Sequence, residues 1–389
     1  MSLNLTPQAE RIHIGFFGRR NAGKSSLVNA LTDQAVSVVS DVAGTTTDPV
    51  KKSMELLPLG PVTVIDTPGF DDVGELGEKR VKTTRDILDS IHIAVLVIDA
   101  SRGEGDTEKE LEEIIRSKSV PLLKVYNKQD LAKSAVDGIA VSALNKSGIE
   151  ELKAALGAMA PKKKEKRLLD GIVKAGDLVV LVTPIDESAP KGRIILPQQM
   201  TIRDLLDFGA SAVVCQPKQL EATLERLKAD PDLVITDSQA FAEVNAIVPK
   251  RVPLTSFSIL MARIKGLLNS SVAGAYVLDT LKDGDTVLIS EGCTHHRQCN
   301  DIGTVKLPKL IQKHTHANIN FEFSSGGSFP EDLTKYALVI HCGGCMLNDT
   351  EMKNRVQIAR EQNVPITNYG IAIAHMNGIL ERSIEILNF

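Results

Sequence analysis

The chain has 389 residues, of which 43% are hydrophobic and 24% are charged, and its formal net charge is -4. This length exceeds what one hydrophobic core usually holds and predicts about three globular domains. The negative charge argues against a nucleic-acid-binding surface over the whole protein, and no apolar run is long enough to cross a membrane. Because the first residues show no signal-peptide pattern, we expect a cytoplasmic protein.

The first motif in the chain is a phosphate-binding loop. An apolar run at residues 11–18 leads into the pattern G-x-x-x-x-G-K-S, and a helical stretch follows it. Glycines let backbone N–H groups turn toward a phosphate, and the helix N-terminus adds partial positive charge. Lys24 is predicted to reach the β- and γ-phosphates, and the Ser25 hydroxyl to bind Mg²⁺. The other predicted nucleotide-binding residues of this loop are Gly18, Asn21, Ala22, Gly23 and Ser26.

Further apolar runs predict the strands of a nucleotide-binding sheet. They lie at residues 62–65, 93–98, 122–126 and 139–141. Asp66 and Gly69 belong to the Asp-Thr-Pro-Gly segment that follows the first of these runs. An acidic side chain at a strand end beside the phosphate loop is predicted to hold Mg²⁺ through water.

A guanine-recognition pattern follows the later strands. Asn127, Lys128 and Asp130 form N-K-x-D, and Ser142 and Ala143 follow the last predicted strand. A carboxylate at the fourth position of N-K-x-D can accept hydrogen bonds from both the N1–H and the N2–H groups of guanine, whereas adenine offers no matching donors. The nucleotide is therefore predicted to be GTP.

In this order and spacing, residues 11–160 resemble the GTPase domains of the TrmE/Era class. The class has a G-T-T-R-D segment that closes on Mg²⁺, which implies that Thr46 is a magnesium ligand, although Thr47 replaces the arginine. Phe70 follows the Asp-Thr-Pro-Gly segment, so the water-orienting glutamine of Ras-like enzymes is absent and slow intrinsic hydrolysis is expected. Resemblance to potassium-activated members implies that Asn21 helps to bind K⁺. The alternative is a loop residue that tolerates an unusual backbone angle.

The predicted GTP-binding domain covers residues 1–166. It ends with an amphipathic helix at residues 149–159 and a basic segment at residues 161–167. Because that segment has no aromatic residues for base stacking, it is interpreted as a solvated linker rather than an RNA contact.

A second predicted domain covers residues 167–265. Strands at residues 177–183, 212–215, 233–236 and 253–256 alternate with helical stretches, which predicts a parallel sheet. It carries no phosphate loop and no acid–base pair. We therefore predict a dimerisation domain and a homodimer.

Cysteine and histidine residues follow two apolar runs in the last predicted domain, residues 266–389. Residues 286–290 precede Cys293 and His295, and residues 337–340 precede His341, Cys342 and Cys345. Since ligands bind outside the carboxyl ends of strands in open α/β sheets, these residues are predicted to share one metal site. Their chemistry suits zinc, with His295 or His341 as the fourth ligand, or an iron–sulfur cluster. A cluster with three protein thiolates would leave one iron open to exchangeable ligands.

A GTPase domain joined to C-x-H and H-C-x-x-C resembles the HydF family, the GTPases of [FeFe]-hydrogenase maturation, over essentially the whole chain. The resemblance implies that Cys293, Cys342 and Cys345 bind a [4Fe–4S] cluster. His295 or His341 would then be a labile fourth ligand or lie just behind the ligands. It also implies a scaffold or carrier that delivers a diiron precursor to the apo-[FeFe]-hydrogenase, with radical-SAM maturation enzymes as further partners.

The expected fold is α/β with three domains: a P-loop GTPase domain, a βα-repeat parallel-sheet dimerisation domain and an α/β cluster-binding domain. Two other functions stay open. One is an RNA- or ribosome-associated GTPase with a structural zinc site. The other is a redox sensor in which loss of the cluster controls GTPase activity.

Overall fold

The structure is a computed structural model that describes residues 6–32, 49–70, 75–132, 138–161, 167–185, 194–292, 301–326 and 328–387. It divides into two compact units, Met1–Lys162 and Lys163–Phe389. Three predicted site residues, Thr46, Cys293 and His295, lie outside the described residues. No helix in the described ranges is long and apolar enough to cross a membrane.

The first unit is built on a six-stranded sheet. Its strands are β1 (Ile12–Phe17), β2 (Val50–Leu56), β3 (Gly60–Asp66), β4 (Ile93–Asp99), β5 (Leu122–Asn127) and β6 (Ile139–Ala140). Its helices are α1 (Lys24–Thr32), α2 (Glu75–Leu88), α3 (Asp106–Ser117) and α4 (Ile149–Met159). The strand order is β2-β3-β1-β4-β5-β6, and only β2 runs antiparallel to its neighbour. The order reverses at β1, so the loop after β1 lies where open α/β sheets bind ligands.

Alternate residues of these strands pack into two cores, one on each face of the sheet. In β4, Ile93 and Val95 pack in the core that contains residues of α1 and α4, whereas Ala94 and Leu96 pack in the core that contains residues of α2 and α3. Burial on both faces explains why the parallel strands are continuous apolar runs in the sequence. The edge strand β2 was not predicted, because most of its residues are at least partly exposed and it has few apolar residues.

The second unit contains two four-stranded parallel sheets. The strands are β7 (Leu178–Val182), β8 (Ser211–Cys215), β9 (Leu233–Thr236), β10 (Leu254–Ser256), β11 (Thr286–Glu291), β12 (Asn320–Ser325), β13 (Leu338–His341) and β14 (Ile366–Asn368). The helices are α5 (Leu196–Phe208), α6 (Leu220–Arg226), α7 (Phe241–Ile247), α8 (Phe257–Ile264), α9 (Leu268–Ala275), α10 (Leu307–Thr315), α11 (Asp349–Glu361), α12 (Tyr369–Met376) and α13 (Leu380–Ile384).

The two sheets of the second unit have the same topology. Their strand orders are β10-β9-β7-β8 and β12-β11-β13-β14, so each places its first strand between its second and its third. All neighbouring strands are parallel. In such a sheet the order reverses beside the first strand, and the carboxyl ends of the first and third strands form the expected ligand crevice.

Helix α12 packs on both sheets, and α13 packs with it on the first. Ile371 of α12 and Leu380 of α13 belong to the core around β7 and β9, while Ala372 and Ile373 pack in the core around β11 and β13. A helix that packs on both sheets must be apolar on most sides, as the sequence of α12 is. The predicted α/β fold class, with a P-loop GTPase domain and further parallel-sheet domains, is confirmed. The domain boundaries after residues 166 and 265 stay predictions.

Candidate functional site

The loop between β1 and α1 has a backbone conformation that only certain residue types adopt readily. Gly18, Asn21 and Gly23 have positive φ angles of 147°, 58° and 85°. A Cβ atom on Gly23 would lie 2.2 Å from Asn127 Nδ2, and one on Gly18 would lie 2.3 Å from the Val97 carbonyl oxygen. Close backbone approach therefore requires glycine at both positions.

Lys24 and Ser25 begin α1 and carry the polar groups of this loop. The Lys24 ammonium is buried and donates hydrogen bonds to the carbonyl oxygens of Gly18 at 3.0 Å and Arg19 at 2.9 Å. The Ser25 hydroxyl donates to Asp66 Oδ2 at 2.6 Å. A hydroxyl and a carboxylate this close are hard oxygen ligands that fit one shared Mg²⁺ ion. This oxygen pair is thus suited to the magnesium site that the sequence predicts.

Asn127, at the end of β5, links the phosphate loop to the segment after β6. Its Nδ2 donates to the Ala22 carbonyl at 3.0 Å, and its Oδ1 accepts a hydrogen bond from the Ala143 N–H at 3.0 Å. Asp130 accepts a hydrogen bond from the Ser142 hydroxyl, which orients its carboxylate. The predicted guanine-binding residues Asn127, Asp130, Ser142 and Ala143 therefore lie together.

Lys128 binds a residue that the sequence reading missed. Its ammonium lies 2.7 Å from Oδ2 of Asp99, the last residue of the neighbouring strand β4. Burial acts to raise the pKa of Asp99, but hydrogen bonds from Lys128 and Ser101 outweigh it, and the pKa lies below its ordinary value. The sequence did contain a signal for Asp99. It is an acidic residue at the end of an apolar strand, and the next predicted strand leads into N-K-x-D.

The remaining predicted residues of the nucleotide site lie around the same loop. Asn21 is exposed, and its left-handed backbone is compatible with both of the roles considered for it. Ser26 lies in α1, directly after Ser25. Gly69 approaches the phosphate loop so closely that a Cβ atom there would lie 2.9 Å from the Arg20 backbone.

The cysteine loop begins where β13 ends. The Cys342 N–H donates to the Ser290 carbonyl of β11 at 2.8 Å. The Cys342 sulfur in turn accepts hydrogen bonds from the backbone N–H groups of Gly292 at 3.1 Å and Gly344 at 3.4 Å. Since β11 and β13 are neighbours, the chain that leads into Cys293 starts beside Cys342. Backbone N–H groups directed at a cysteine sulfur suit a thiolate ligand of zinc or of an iron–sulfur cluster.

A buried lysine, also missed in the sequence, lies beneath this loop. Lys265 directly follows α8, and its ammonium donates hydrogen bonds to the carbonyl oxygens of Gly344 and, at 3.1 Å, Leu347. Burial lowers the pKa of Lys265. The pKa of Cys345 is raised by burial, and the charge of Lys265 opposes that rise. The lysine therefore supplies positive charge where thiolates would accumulate negative charge.

His341 is fully buried with both ring nitrogens in hydrogen bonds. Its Nδ1 donates to the Cys342 carbonyl at 2.8 Å, and its Nε2 accepts from Arg355 Nη1 at 3.0 Å. Burial, with a smaller effect of the Arg355 charge, lowers the pKa of His341 to about 3. The ring is thus neutral and positioned behind Cys342. Arg355, on α11, gave no signal in the sequence because helix periodicity does not reveal which strand it contacts.

Family models match most of the chain. One described as the hydrogen maturase F tetramerization domain matches residues 269–386, and another described as the hydrogen maturase F dimerization domain matches residues 168–266. Together they cover more than half of the chain. The chain belongs to the hydrogen maturase F family. The resemblance to HydF is therefore confirmed, and a model described as 50S ribosome-binding GTPase matches residues 13–128 of this HydF-family chain.

Curated relatives of the chain match its GTPase domain. The tRNA modification GTPase MnmE of Syntrophotalea carbinolica is 35% identical over 155 residues, which are 38% of this chain and 33% of that protein. The GTPase Der of Sulfurimonas denitrificans is 38% identical over 127 residues, 32% of this chain and 26% of that protein. The chain thus spans a third or less of the length of these two relatives.

Solved GTPase structures also resemble the chain. Era of Aquifex aeolicus bound to GDP and AlF₄⁻ covers 52% of this chain and 91% of its own, at 20% identity and a TM-score of 0.36. The G domain of the T. maritima FeoB protein covers 39% of this chain and 100% of its own, at 22% identity and a TM-score of 0.32. At these scores no further conclusion rests on the likeness.

Proposed function

We propose that this HydF-family chain hydrolyses GTP to GDP and phosphate, binds a [4Fe–4S] cluster, and carries a diiron precursor to the apo-[FeFe]-hydrogenase. The observation that supports this most is the environment of the Cys342 sulfur. This sulfur accepts hydrogen bonds from two backbone N–H groups at the crevice between β11 and β13. It lies in a chain whose second unit matches the hydrogen maturase F domains.

In the GTPase half, Ser25, Thr46 and Asp66 are proposed to hold Mg²⁺, and Lys24 to bind the β- and γ-phosphates. Asp130 would accept hydrogen bonds from the N1–H and N2–H groups of guanine, oriented by its own hydrogen bond from Ser142. Hydrolysis is proposed to be slow, because no glutamine follows the Asp-Thr-Pro-Gly segment. Potassium bound beside Asn21 is proposed to speed it by supplying the positive charge that an arginine finger provides in other GTPases.

In the cluster half, Cys293, Cys342 and Cys345 are proposed to hold the [4Fe–4S] cluster, which supplies one iron with an exchangeable ligand position. Lys265 would hold the loop through the Gly344 and Leu347 carbonyls and offset the negative charge of the thiolates. His341 is proposed to position Cys342, since both of its nitrogens already have hydrogen-bond partners. His295 stays a candidate for the fourth ligand.

The proposed partners follow from the family. Residues 168–266 match a dimerization domain and residues 269–386 a tetramerization domain, which supports self-association of this chain. The apo-[FeFe]-hydrogenase and the radical-SAM maturation enzymes are proposed as the other partners, without membrane or nucleic-acid binding. A reducing compartment such as the cytoplasm would keep the cysteine thiols available for iron.

Anaerobic reconstitution with iron and sulfide, followed by EPR of the reduced protein with and without added imidazole or cyanide, tests the proposal. A [4Fe–4S]⁺ signal that shifts with the added ligand is expected from the wild type and from Cys215→Ala, whose cysteine is buried in the core around β7. Cys342→Ala should lose the signal. A colourless protein that retains about one zinc per chain would contradict the cluster.

An RNA- or ribosome-associated GTPase with structural zinc is the second candidate, because the first domain matches a 50S ribosome-binding GTPase model and tRNA modification GTPases. It predicts RNA binding that weakens steeply as salt rises. The proposed maturation function predicts no such binding. GTP turnover measured with and without the cluster tests the redox-sensor alternative, which requires turnover to change strongly with cluster occupancy.

A further inference from the structure

A group of side chains of the types that bind metal ions lies in the same unit as the cysteine loop. His314 Nε2 lies 2.7 Å from Asp279 Oδ1, and His375 Nε2 lies 3.0 Å from both Asp279 carboxylate oxygens. One ligand atom from each of the three residues falls within 4.8 Å of the other two. We call Asp279, His314 and His375 the Asp-His-His cluster.

The Asp-His-His cluster lies at the amino-terminal ends of the strands, and the cysteine loop lies at their carboxyl ends. Asp279 precedes β11, and His314 is in the last turn of α10, which leads into β12. His375 is in the last turn of α12, which begins where β14 ends. Because helices in such a parallel sheet run back against the strand direction, their last turns lie at the amino ends of the strands. Cys342 follows a carboxyl end, so the two groups of side chains are separate.

The three side chains come from different elements and are positioned by their surroundings. The Tyr276 ring packs edge-on against His375, with ring centres 5.0 Å apart, and its hydroxyl donates to Glu381. The side chain of Asp279 is 49% exposed, whereas those of His314 and His375 are 25% and 11% exposed. An ion could therefore enter from solvent and meet side chains that are already oriented. Two carboxylates, Asp279 and Glu381, make the surroundings acidic.

We propose that the Asp-His-His cluster binds a divalent ion of the zinc class. Two imidazoles and one carboxylate are a donor set that zinc takes, with bond lengths of about 2.0 to 2.2 Å and a fourth position left to water. Ligand atoms around a tetrahedral zinc lie about 3.3 Å apart. The distances of 2.7 to 3.0 Å between the Asp279 oxygen and the two histidine nitrogens therefore need to increase only slightly. Soft thiolates are absent from this set, which distinguishes it from the cysteine loop.

The bound ion would link three elements of the second unit. It would join the turn before β11 to α10 and to α12, and α12 also packs in the core around β7 and β9. A metal at this place therefore strengthens the connection between the two sheets. Without the ion, the same side chains form a hydrogen-bonded cluster, and this is the alternative that the experiment has to separate from metal binding.

The test uses the full-length protein after cluster reconstitution, incubated with zinc chloride and desalted. The variants are His314→Asn and, as the matched control, His316→Asn. His316 lies two residues further along, has a positive φ angle that asparagine also accepts, and is not part of the cluster. Wild type and His316→Asn should retain one more zinc per chain than His314→Asn. Equal zinc content in all three proteins would overturn the proposal.

Zinc-edge X-ray absorption of the loaded wild type gives a second result that needs no variant. Nitrogen and oxygen neighbours with imidazole scattering are expected, and zinc surrounded by sulfur alone would contradict the site. If the cysteines take zinc instead of iron, the absorption spectrum shows sulfur as well, but the difference between His314→Asn and His316→Asn still decides. An unchanged far-UV circular dichroism spectrum and an unchanged urea unfolding midpoint of metal-free His314→Asn, relative to metal-free wild type, would confirm that this variant is folded.

Discussion

Single residues of the phosphate loop are constrained by contact as well as by conformation. Gly23 and Gly103 both have left-handed backbones, with φ angles of 85° and 76°. A Cβ atom on Gly23 would collide with the Asn127 amide, whereas one on Gly103 would meet no atom within 4 Å. An alanine at Gly103 would therefore cause backbone strain alone, whereas an alanine at Gly23 would cause backbone strain and a collision with Asn127.

Gly23→Ala should weaken GTP binding, whereas Gly103→Ala should bind GTP more tightly than Gly23→Ala does. Both variants carry left-handed strain of about 1 to 2 kcal/mol, but only the first displaces Asn127 from Ala22 and Ala143. Fluorescent-nucleotide titration measures the dissociation constants, and at least a tenfold weakening, about 1.4 kcal/mol, is expected for Gly23→Ala relative to Gly103→Ala. Equal affinities would show that the Asn127 contact does not matter for binding.

At the scale of elements, both sites depend on contacts between strand ends and helices that are far apart in the chain. Asp99 ends β4 and pairs with Lys128 after β5. Lys265, after α8, holds the loop that follows β13. Each pair joins two elements that the hydrophobic pattern identifies separately.

The pair of Asp99 and Lys128 should make the GTPase domain sensitive to acid. The pKa of Asp99 lies below 3.8, its ordinary value. Its charged form therefore contributes stability above pH 3.8, and this contribution is lost as the pH falls through the lowered pKa. Urea unfolding between pH 6 and pH 3 should show a smaller loss of stability for Asp99→Asn than for the wild type.

Asp89→Asn is the control for this measurement. Asp89 and Lys118 form an ion pair at 2.7 Å, with side chains 28% and 35% exposed, and such surface pairs contribute little. The loss of stability of Asp89→Asn between pH 6 and pH 3 should equal that of the wild type. The same slope in all three proteins would exclude a role of Asp99 in stability at low pH.

Lys265→Met should destabilise the proposed [4Fe–4S] cluster in the cysteine loop. The substitution leaves the buried carbonyls of Gly344 and Leu347 without this donor, and changes behind metal ligands typically weaken metal binding about 10- to 100-fold. Iron loss to a chelator, followed by absorbance, should therefore be at least about tenfold faster than in the wild type.

Arg263→Met, two residues earlier, provides the control for Lys265→Met. Arg263 donates instead to the Leu168 and Asp170 carbonyls, so iron loss should stay at the wild-type rate. Lys265→Arg should restore part of the stability because it keeps the charge. Equal rates for Lys265→Met and the wild type would exclude a positioning role for the lysine.

At the scale of the whole molecule, the second unit has a sheet edge that pairs with no further strand among the described residues. β8 is the edge strand of its sheet, and its sequence Ser-Ala-Val-Val-Cys has neither a charge nor a proline that would discourage pairing. Val214 in this strand is 50% exposed, and Leu206 of the preceding helix is 64% exposed. This edge lies within the residues that match a dimerization domain.

Val214→Asp should weaken the dimer, because it places a charge in the contact that the β8 edge is predicted to make. Analytical ultracentrifugation over a concentration series should show a dissociation constant at least about tenfold higher than that of the wild type. Leu57→Asp, at a residue 76% exposed in the GTPase unit, should leave the constant unchanged. An unchanged constant in Val214→Asp would place the dimer contact elsewhere.

Much of the fold was predictable because the relevant signals are local. Residues 149–159 were predicted as a helix, and α4 has these bounds. The apolar strands β4, β9 and β13 were recognised because burial on both faces requires continuous apolar residues. β2 and α10 were missed: β2 is an edge strand with mostly exposed residues and therefore a weak apolar pattern, and α10 is a helix of only nine residues.

The sequence by itself determined the motifs of the nucleotide loop, the guanine pattern and the cysteine loop, and their chemistry could be predicted from it, because each motif is a run of neighbouring residues with a characteristic spacing. Tertiary structure alone decided that Lys265 lies under the cysteine loop, that Arg355 binds His341, and that the Asp-His-His cluster forms. Those contacts join residues far apart in the chain. Hydrophobic periodicity tells which face of an element is buried, but only the packing of sheets and helices selects the partner.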